Sequence, residues 1–196
     1  MDIYQKVASG TGDAELLLES SDLKIITSWS PDGRFILYHS TGEEWELPLE
    51  GGRKPVVLRT SDLVSRPEIS PNMKWEAYQS NESGRMEIYV RSFPPSGAKW
   101  QVTTTGGEEP YWRKDGKELF YVTGKTIMAV DVETDGQAFR FGNARRLFEA
   151  RLQTESLRSR YQVAAKGQRF LVSVPLESTI SAPITVVTNW MVGLKR

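Results

Sequence analysis

The sequence predicts an all-β fold assembled from a repeated four-stranded antiparallel unit. Three observations predict it: a strand–turn–strand segment that recurs four times, two further strand families that recur between its copies, and no sustained helical period along 196 residues. The recurring segments are WSPDGRFILYHS from Trp29, ISPNMKWEAYQS from Ile69, WRKDGKELFYVT from Trp112 and VAAKGQRFLVSV from Val163. They start roughly 40 to 50 residues apart, the period of β-propeller blades, with an insertion before the last.

Each copy reads as two strands around a tight turn. Pro31 pre-sets the backbone angle, Asp32 can bond nearby amides and Gly33 tolerates a left-handed conformation. The second copy keeps Pro71 and Asn72, the third Asp115 and Gly116, and the fourth only Gly167. Phe35, Leu37, Leu119 and Tyr121 then give the alternating or continuous apolar strands expected between covered sheets. Between the hairpins lie DIYQKVA (2–8), EWELPLE (44–50), EIYVRSF (87–93), TIMAVDV (126–132) and ITVVTNW (184–190), read as third strands. AELLLES (14–20), KPVVLRT (54–60), AKWQVTT (98–104) and ARRLFEA (144–150) each follow a glycine-bearing turn and read as outer, fourth strands. Naming strands A to D from the axis outward, the chain runs C-D, three times A-B-C-D, then A-B-C, about seventeen strands in all. Residues 155–160 hold the one candidate turn of helix.

The expectation is a single domain over 1–196, a partial ring of about four to five four-stranded antiparallel blades. The blades fall near 1–20 (outer strands only), 23–60, 65–104, 109–150 and 160–196 (without its outer strand). A propeller closes when one terminus completes the blade at the other, which removes open sheet edges. Here both 2–8 and 184–190 read as third strands, so the count does not close. An arc of a larger ring of six to eight blades is the simplest reading, ahead of two associated arcs and of a four-bladed closure.

Composition excludes several function classes. Basic and acidic residues number 25 each, so no global charge draws the chain to nucleic acid or anionic membrane. Cysteine is absent, which removes disulfides, thiolate metal sites and cysteine nucleophiles together. No apolar run reaches the length of a membrane helix, and the first ten residues carry no apolar signal core.

The repeats resemble the Pro-Asp propeller repeats of the TolB-like family, distant relatives of WD-repeat blades. The stretch from Arg66 to Val122, with ISPNMKWEAYQSNESGRMEIYVRSFP and GGEEPYWRKDGKELFYV, and the closing ITVVTNWMVGLKR are more narrowly similar to one kind of propeller. It is the C-terminal propeller that follows the kinase domain and membrane helix of many bacterial receptor-like serine/threonine kinases. Met73 stands where glycine is usual, and Ala164, Ala165 and Lys166 replace Ser-Pro-Asp in the last hairpin. The resemblance implies a non-catalytic binding or sensor module in an extracytoplasmic, periplasmic position. An accessory propeller of a prolyl-oligopeptidase-like hydrolase and a TolB-like envelope scaffold are the alternatives.

Catalytic signatures are missing from the sequence. Its one histidine, His39, closes a second strand, where a structural role is expected. The G-x-S-x-G elbow, the kinase loops and the phosphate-binding G-x-x-x-x-G-K-[ST] pattern are not present, and no cofactor or metal is expected. Asp131, Glu133, Asp135 and Gly136 mimic half a calcium loop, but its twelfth position is Gly142 rather than glutamate, so a polar turn is expected. Arg145, Arg146, Arg151, Arg158 and Arg160 read as solubilising charge near an outer strand. Trp29, Trp45, Trp112 and Trp190 recur at equivalent positions and are expected to pack between blades, while Trp75 and Trp100 are less regular. Asn81-Glu82-Ser83 matches a glycosylation acceptor and reads as an exposed turn. The face carrying the D–A and B–C loops is the expected binding surface. Arg66, Asn81, Glu82, Arg85, Glu108 and Glu109 are its candidate residues, facing a protein or small polar ligand, with self-association through open blade edges as a further expectation.

Overall fold

The structure, a computed structural model, describes residues 1–60, 64–134, 138–152 and 159–175. Among these residues sixteen strands form five antiparallel sheets. The first sheet pairs β1 (Ile3–Gln5) with β2 (Glu15–Leu18). Three complete sheets follow. The second runs β3 (Ile25–Trp29), β4 (Phe35–Ser40), β5 (Glu43–Pro48), β6 (Val56–Thr60). The third runs β7 (Val64–Ile69), β8 (Trp75–Ser80), β9 (Glu87–Ser92), β10 (Lys99–Gln101), and the fourth β11 (Glu108–Trp112), β12 (Glu118–Thr123), β13 (Thr126–Glu133), β14 (Arg140–Glu149). The fifth is the hairpin of β15 (Tyr161–Val163) and β16 (Phe170–Val172). The strand expected at 184–190, Trp190, Arg158 and most of the candidate helical turn lie outside the described residues.

All four A–B hairpins close with the same backbone bonds, although their turn sequences differ. The amides of Gly33, Met73, Gly116 and Gly167 donate to the carbonyls of Ser30, Ser70, Arg113 and Ala164 at 2.7–2.9 Å. Asp32, Asn72 and Asp115 each accept the amide two residues on, from Arg34, Lys74 and Lys117, at 3.1 Å. Met73 adopts φ 61°, the left-handed angle its glycine counterparts hold, so the hairpin keeps its shape at some backbone cost.

The second strands are the most buried. β8 is buried along its whole length, and Leu37, Leu119 and Val122 are inaccessible on β4 and β12. Each such side chain contributes about 1.5–3 kcal/mol through burial. Consecutive sheets stack face to face. Ile3, Leu17, Ile36, Tyr38 and Leu47 join the first to the second. Phe35, Leu37, Ile69 and Phe93 join the second to the third. Trp75, Ile88, Leu119, Val130 and Phe139 join the third to the fourth, and Phe120, Ile127, Leu152 and Tyr161 the fourth to the fifth.

The tryptophans depart from expectation in part. Trp75 lies in the core, where its Nε1 donates to Thr134 O at 2.8 Å across a sheet boundary. Trp112 packs against the same cluster and Trp45 against the first sheet. Trp29, expected between blades, is instead 57% exposed; among the described residues no strand stands on the inner side of β1 to cover it.

Candidate functional site

The strand registers bring the D–A and B–C connections to one end of the sheets: Val64 lies opposite Ser80, Ser80 opposite Glu87, and Glu108 opposite Val122. Five of the six candidates are placed there by side chain. For Arg66 the structure places only the backbone, at the β7 irregularity between Ser65 and Glu68; its side chain lies outside the described part.

Asn81, Glu82 and Arg85 are exposed on the β8–β9 turn. The turn is held by Gly84 N donating to Asn81 O at 2.8 Å and Glu82 N donating to Ser80 Oγ at 3.2 Å. Lys99 Nζ reaches both Glu82 oxygens at 2.8 and 2.9 Å. Behind the turn sits the buried Glu87 carboxylate, which takes Arg85 Nε at 2.9 Å, Thr103 Oγ1 at 2.5 Å and Gly106 N at 3.0 Å. Arg85 also donates to Thr104 O. One buried acid thus ties the B–C turn to the following D–A loop, so the exposed groups stand on a fixed frame.

Glu108 and Glu109 belong to β11 rather than to a loop. The Glu108 side chain is 45% exposed and meets Arg160 Nη2 at 2.6 Å. Glu109 is 3% exposed, at φ 54°, where the strand bulges against β12. The bulge turns its carboxylate inward between sheets to accept Arg160 N at 2.8 Å and Arg160 Nε at 2.7 Å. Its own amide donates to Gln79 Oε1 at 2.8 Å and its carbonyl accepts Tyr161 OH at 2.7 Å. Glu109 therefore fastens the third, fourth and fifth sheets together and offers nothing to a ligand. Arg160 is corrected with it: at 6% exposure it is a buried inter-sheet cation, not part of a solubilising patch. Arg145, Arg146 and Arg151 are exposed, Arg145 pairing with Glu118 and Arg146 with Glu149.

Two charged features carry no sequence signal. Between the second and third sheets Glu44 and Glu76 face Arg59 and Arg91, and the guanidiniums of both arginines lie over the Tyr78 ring at 5.0 and 5.4 Å. Burial, then the neighbouring Glu76 carboxylate, push the Glu44 carboxyl up to about 8 against the opposing pull of Arg59 and Arg91. On the inner strand β7 burial pushes Glu68 up to about 8. Nearby, Gln162 Nε2 donates to Tyr111 OH at 2.9 Å, which bonds Ser159 Oγ at 2.8 Å. Each of these carboxylates is an ordinary strand residue until the next sheet closes over it. Half-buried His39 faces Ile25 and Glu44 across its strand pairs. Asp131 and Glu133 are exposed on β13, Glu133 lying 3.9 Å from Arg140; Asp135 and Gly136 lie outside the described residues. Among the described residues no three acidic or histidine groups gather as for a metal.

Repeated four-stranded sheets stacked face to face, with no helix among the described residues, define a partial β-propeller. In fold the chain is similar to solved structures, two of which follow. TolB from Acinetobacter baumannii superposes with a TM-score of 0.65 and 21% identity, over 90% of this chain and 44% of that one. A putative 6-phosphogluconolactonase from Bacteroides uniformis superposes with a TM-score of 0.50 and 17% identity, over 78% of this chain and 48% of that one. The chain thus spans less than half the length of either structure. No family model and no curated protein sequence matches the chain.

Proposed function

We propose that the chain is a non-catalytic binding or sensor module, part of a larger bacterial signalling protein, that presents the D–A and B–C end of its blades to a protein or small polar ligand in an extracytoplasmic setting. One observation carries the reading: exposed Asn81, Glu82 and Arg85, on a connection pinned by the buried Glu87, and half-exposed Glu108, at the start of β11, sit at one end of the sheets. Rigidly held polar groups lose little entropy on binding, and loops on a rigid scaffold are where propellers place recognition. The TolB-like fold and the resemblance of the Arg66–Val122 stretch to receptor-kinase propellers support the setting. The test combines Asn81→Arg, Glu82→Lys and Glu108→Gln, all on side chains that reach solvent, and compares partner binding with the parent chain. Binding weakened tenfold or more with an unchanged circular dichroism spectrum is the expected result. Unchanged binding of every partner detected would show the face to be the wrong one.

A further inference from the structure

The first sheet is half as wide as the three that follow. Its strands align with the outer pair of a blade: Asp2-Ile3-Tyr4 at the start of β1 repeats Glu87-Ile88-Tyr89 at the start of β9. In the third sheet β9 has the hairpin β7–β8 on its inner side; among the described residues the inner side of β1 has instead a cleft of about 640 Å³, lined by Ile3, Leu17, Ile26, Trp29 and Ile36. Ile26 is 56% exposed, in contrast to the buried core lining the other inter-sheet layers. The repeat says what belongs there. Trp112, the counterpart of Trp29, donates from Nε1 to Glu68 O at 2.8 Å, on the inner strand of the preceding sheet. Trp29 Nε1 has no acceptor among the described residues, and in the same layer Trp45 Nε1 is buried without one.

We infer that this cleft is a strand-addition site. It receives an antiparallel β-hairpin of the A–B kind, contributed by repeat polypeptide outside these 196 residues. The outer strand of that hairpin pairs with the free edge of β1. Its inner strand offers, at the place Glu68 holds in the third sheet, the carbonyl that Trp29 Nε1 donates to. The A. baumannii TolB chain, of which this one covers 44%, is long enough to hold further repeats. Of the chain's own A–B hairpins, β3–β4, β7–β8 and β11–β12 already use their outer edges on β5, β9 and β13; that leaves a second copy only β15–β16 to lend, an occupant that the test below separates. Strand addition of this kind gains affinity from main-chain bonds and specificity from the apolar side chains that enter the cleft.

The probe is the chain's own repeat. Residues 64–86, an A–B hairpin with its B–C turn, are grafted in place of Met1 so that the turn leads into Asp2 as it leads into Glu87. Exchange of the Trp29 indole N–H is read by NMR, with Trp29→Phe assigning the signal. The expected result is at least tenfold slower exchange in the grafted chain, abolished when Tyr78 of the graft, whose backbone faces β9 in the third sheet, is replaced by proline to block pairing with β1. A synthetic peptide of residues 64–80 added in trans slows exchange in the same direction with smaller amplitude. Unchanged Trp29 exchange with both graft and peptide overturns the inference. So does an ungrafted chain that forms a dimer in which Trp29 is already protected, since a second copy would then be the occupant.

Discussion

Replacing Arg160 by methionine keeps the length of the side chain's apolar stem and removes its charge. The Glu109 carboxylate, 3% exposed, then loses its 2.7 Å bond from Nε and keeps the 2.8 Å bond from the backbone amide of residue 160, while Glu108 loses a 2.6 Å partner near solvent. Removing one partner of a buried, hydrogen-bonded ion pair costs about 3–5 kcal/mol. The exposed half of the triad adds little, because solvent screens Glu108. For a chain of this length each kcal/mol moves the thermal midpoint by about 2–4 °C, so Arg160→Met lowers it by roughly 6–20 °C. Urea unfolding followed by tryptophan fluorescence and far-ultraviolet dichroism measures the loss directly. The double variant with Glu109→Gln, which removes the buried charge that Arg160 faced, recovers at least half of it. A loss below about 1 kcal/mol for Arg160→Met, or a double variant no more stable than the single one, would refute the assignment of this pair as an inter-sheet fastener.

The Glu44 carboxyl, held near 8 by burial and the adjacent Glu76 carboxylate, keeps its proton where the unfolded chain has lost it. Stability therefore falls as pH rises from about 4.3 toward 8, by at most about 1.4 kcal/mol per pH unit for one such group; Glu44→Gln flattens this dependence in urea titrations between pH 5 and 8, and an unchanged slope contradicts it. A side chain at Gly107 would put a Cβ 2.8 Å from both Ile88 Cγ1 and Thr103 Oγ1. Gly107→Ala consequently costs about 1–3 kcal/mol and loosens the Glu87 staple, read as faster amide exchange at Gly106. Lys99→Ala removes a surface pair with Glu82 and changes stability by less than about 1 kcal/mol in the same urea assay.

The blade repeat was legible because tight turns and apolar strands write themselves locally. Ser30-Pro31-Asp32-Gly33 announces its hairpin, and even Met73 and the Ala164–Gly167 turn, which depart from the pattern, keep the same backbone bonds because the flanking strands impose the register. Burial was legible where a residue's neighbours are fixed by the repeat, as for Trp112, and not where the repeat is interrupted. Trp29 holds the equivalent repeat position, yet it is exposed, since among the described residues the neighbouring sheet lacks the strands that would cover it. The exposed turn carrying Asn81, Glu82 and Arg85 was legible, because it follows from two strands flanking a polar stretch. At Glu109 the reading was defeated by a bulge: one irregular residue turned a presumed loop acid into a buried partner for Arg160, more than fifty residues away in sequence. The Glu44, Glu76, Arg59 and Arg91 layer was likewise hidden, since no local pattern reveals that two sheets bring their charges together.

Site-directed photo-crosslinking tests the proposed binding face most directly. A photoreactive residue is placed at Asn81, on the B–C end, or at Lys114, in the A–B turn at the opposite end of the same stack. Each chain is carried in its native protein and irradiated in the cells that express it. The account predicts discrete adducts from position 81 and none from position 114. Adducts from 114 with none from 81 would contradict it.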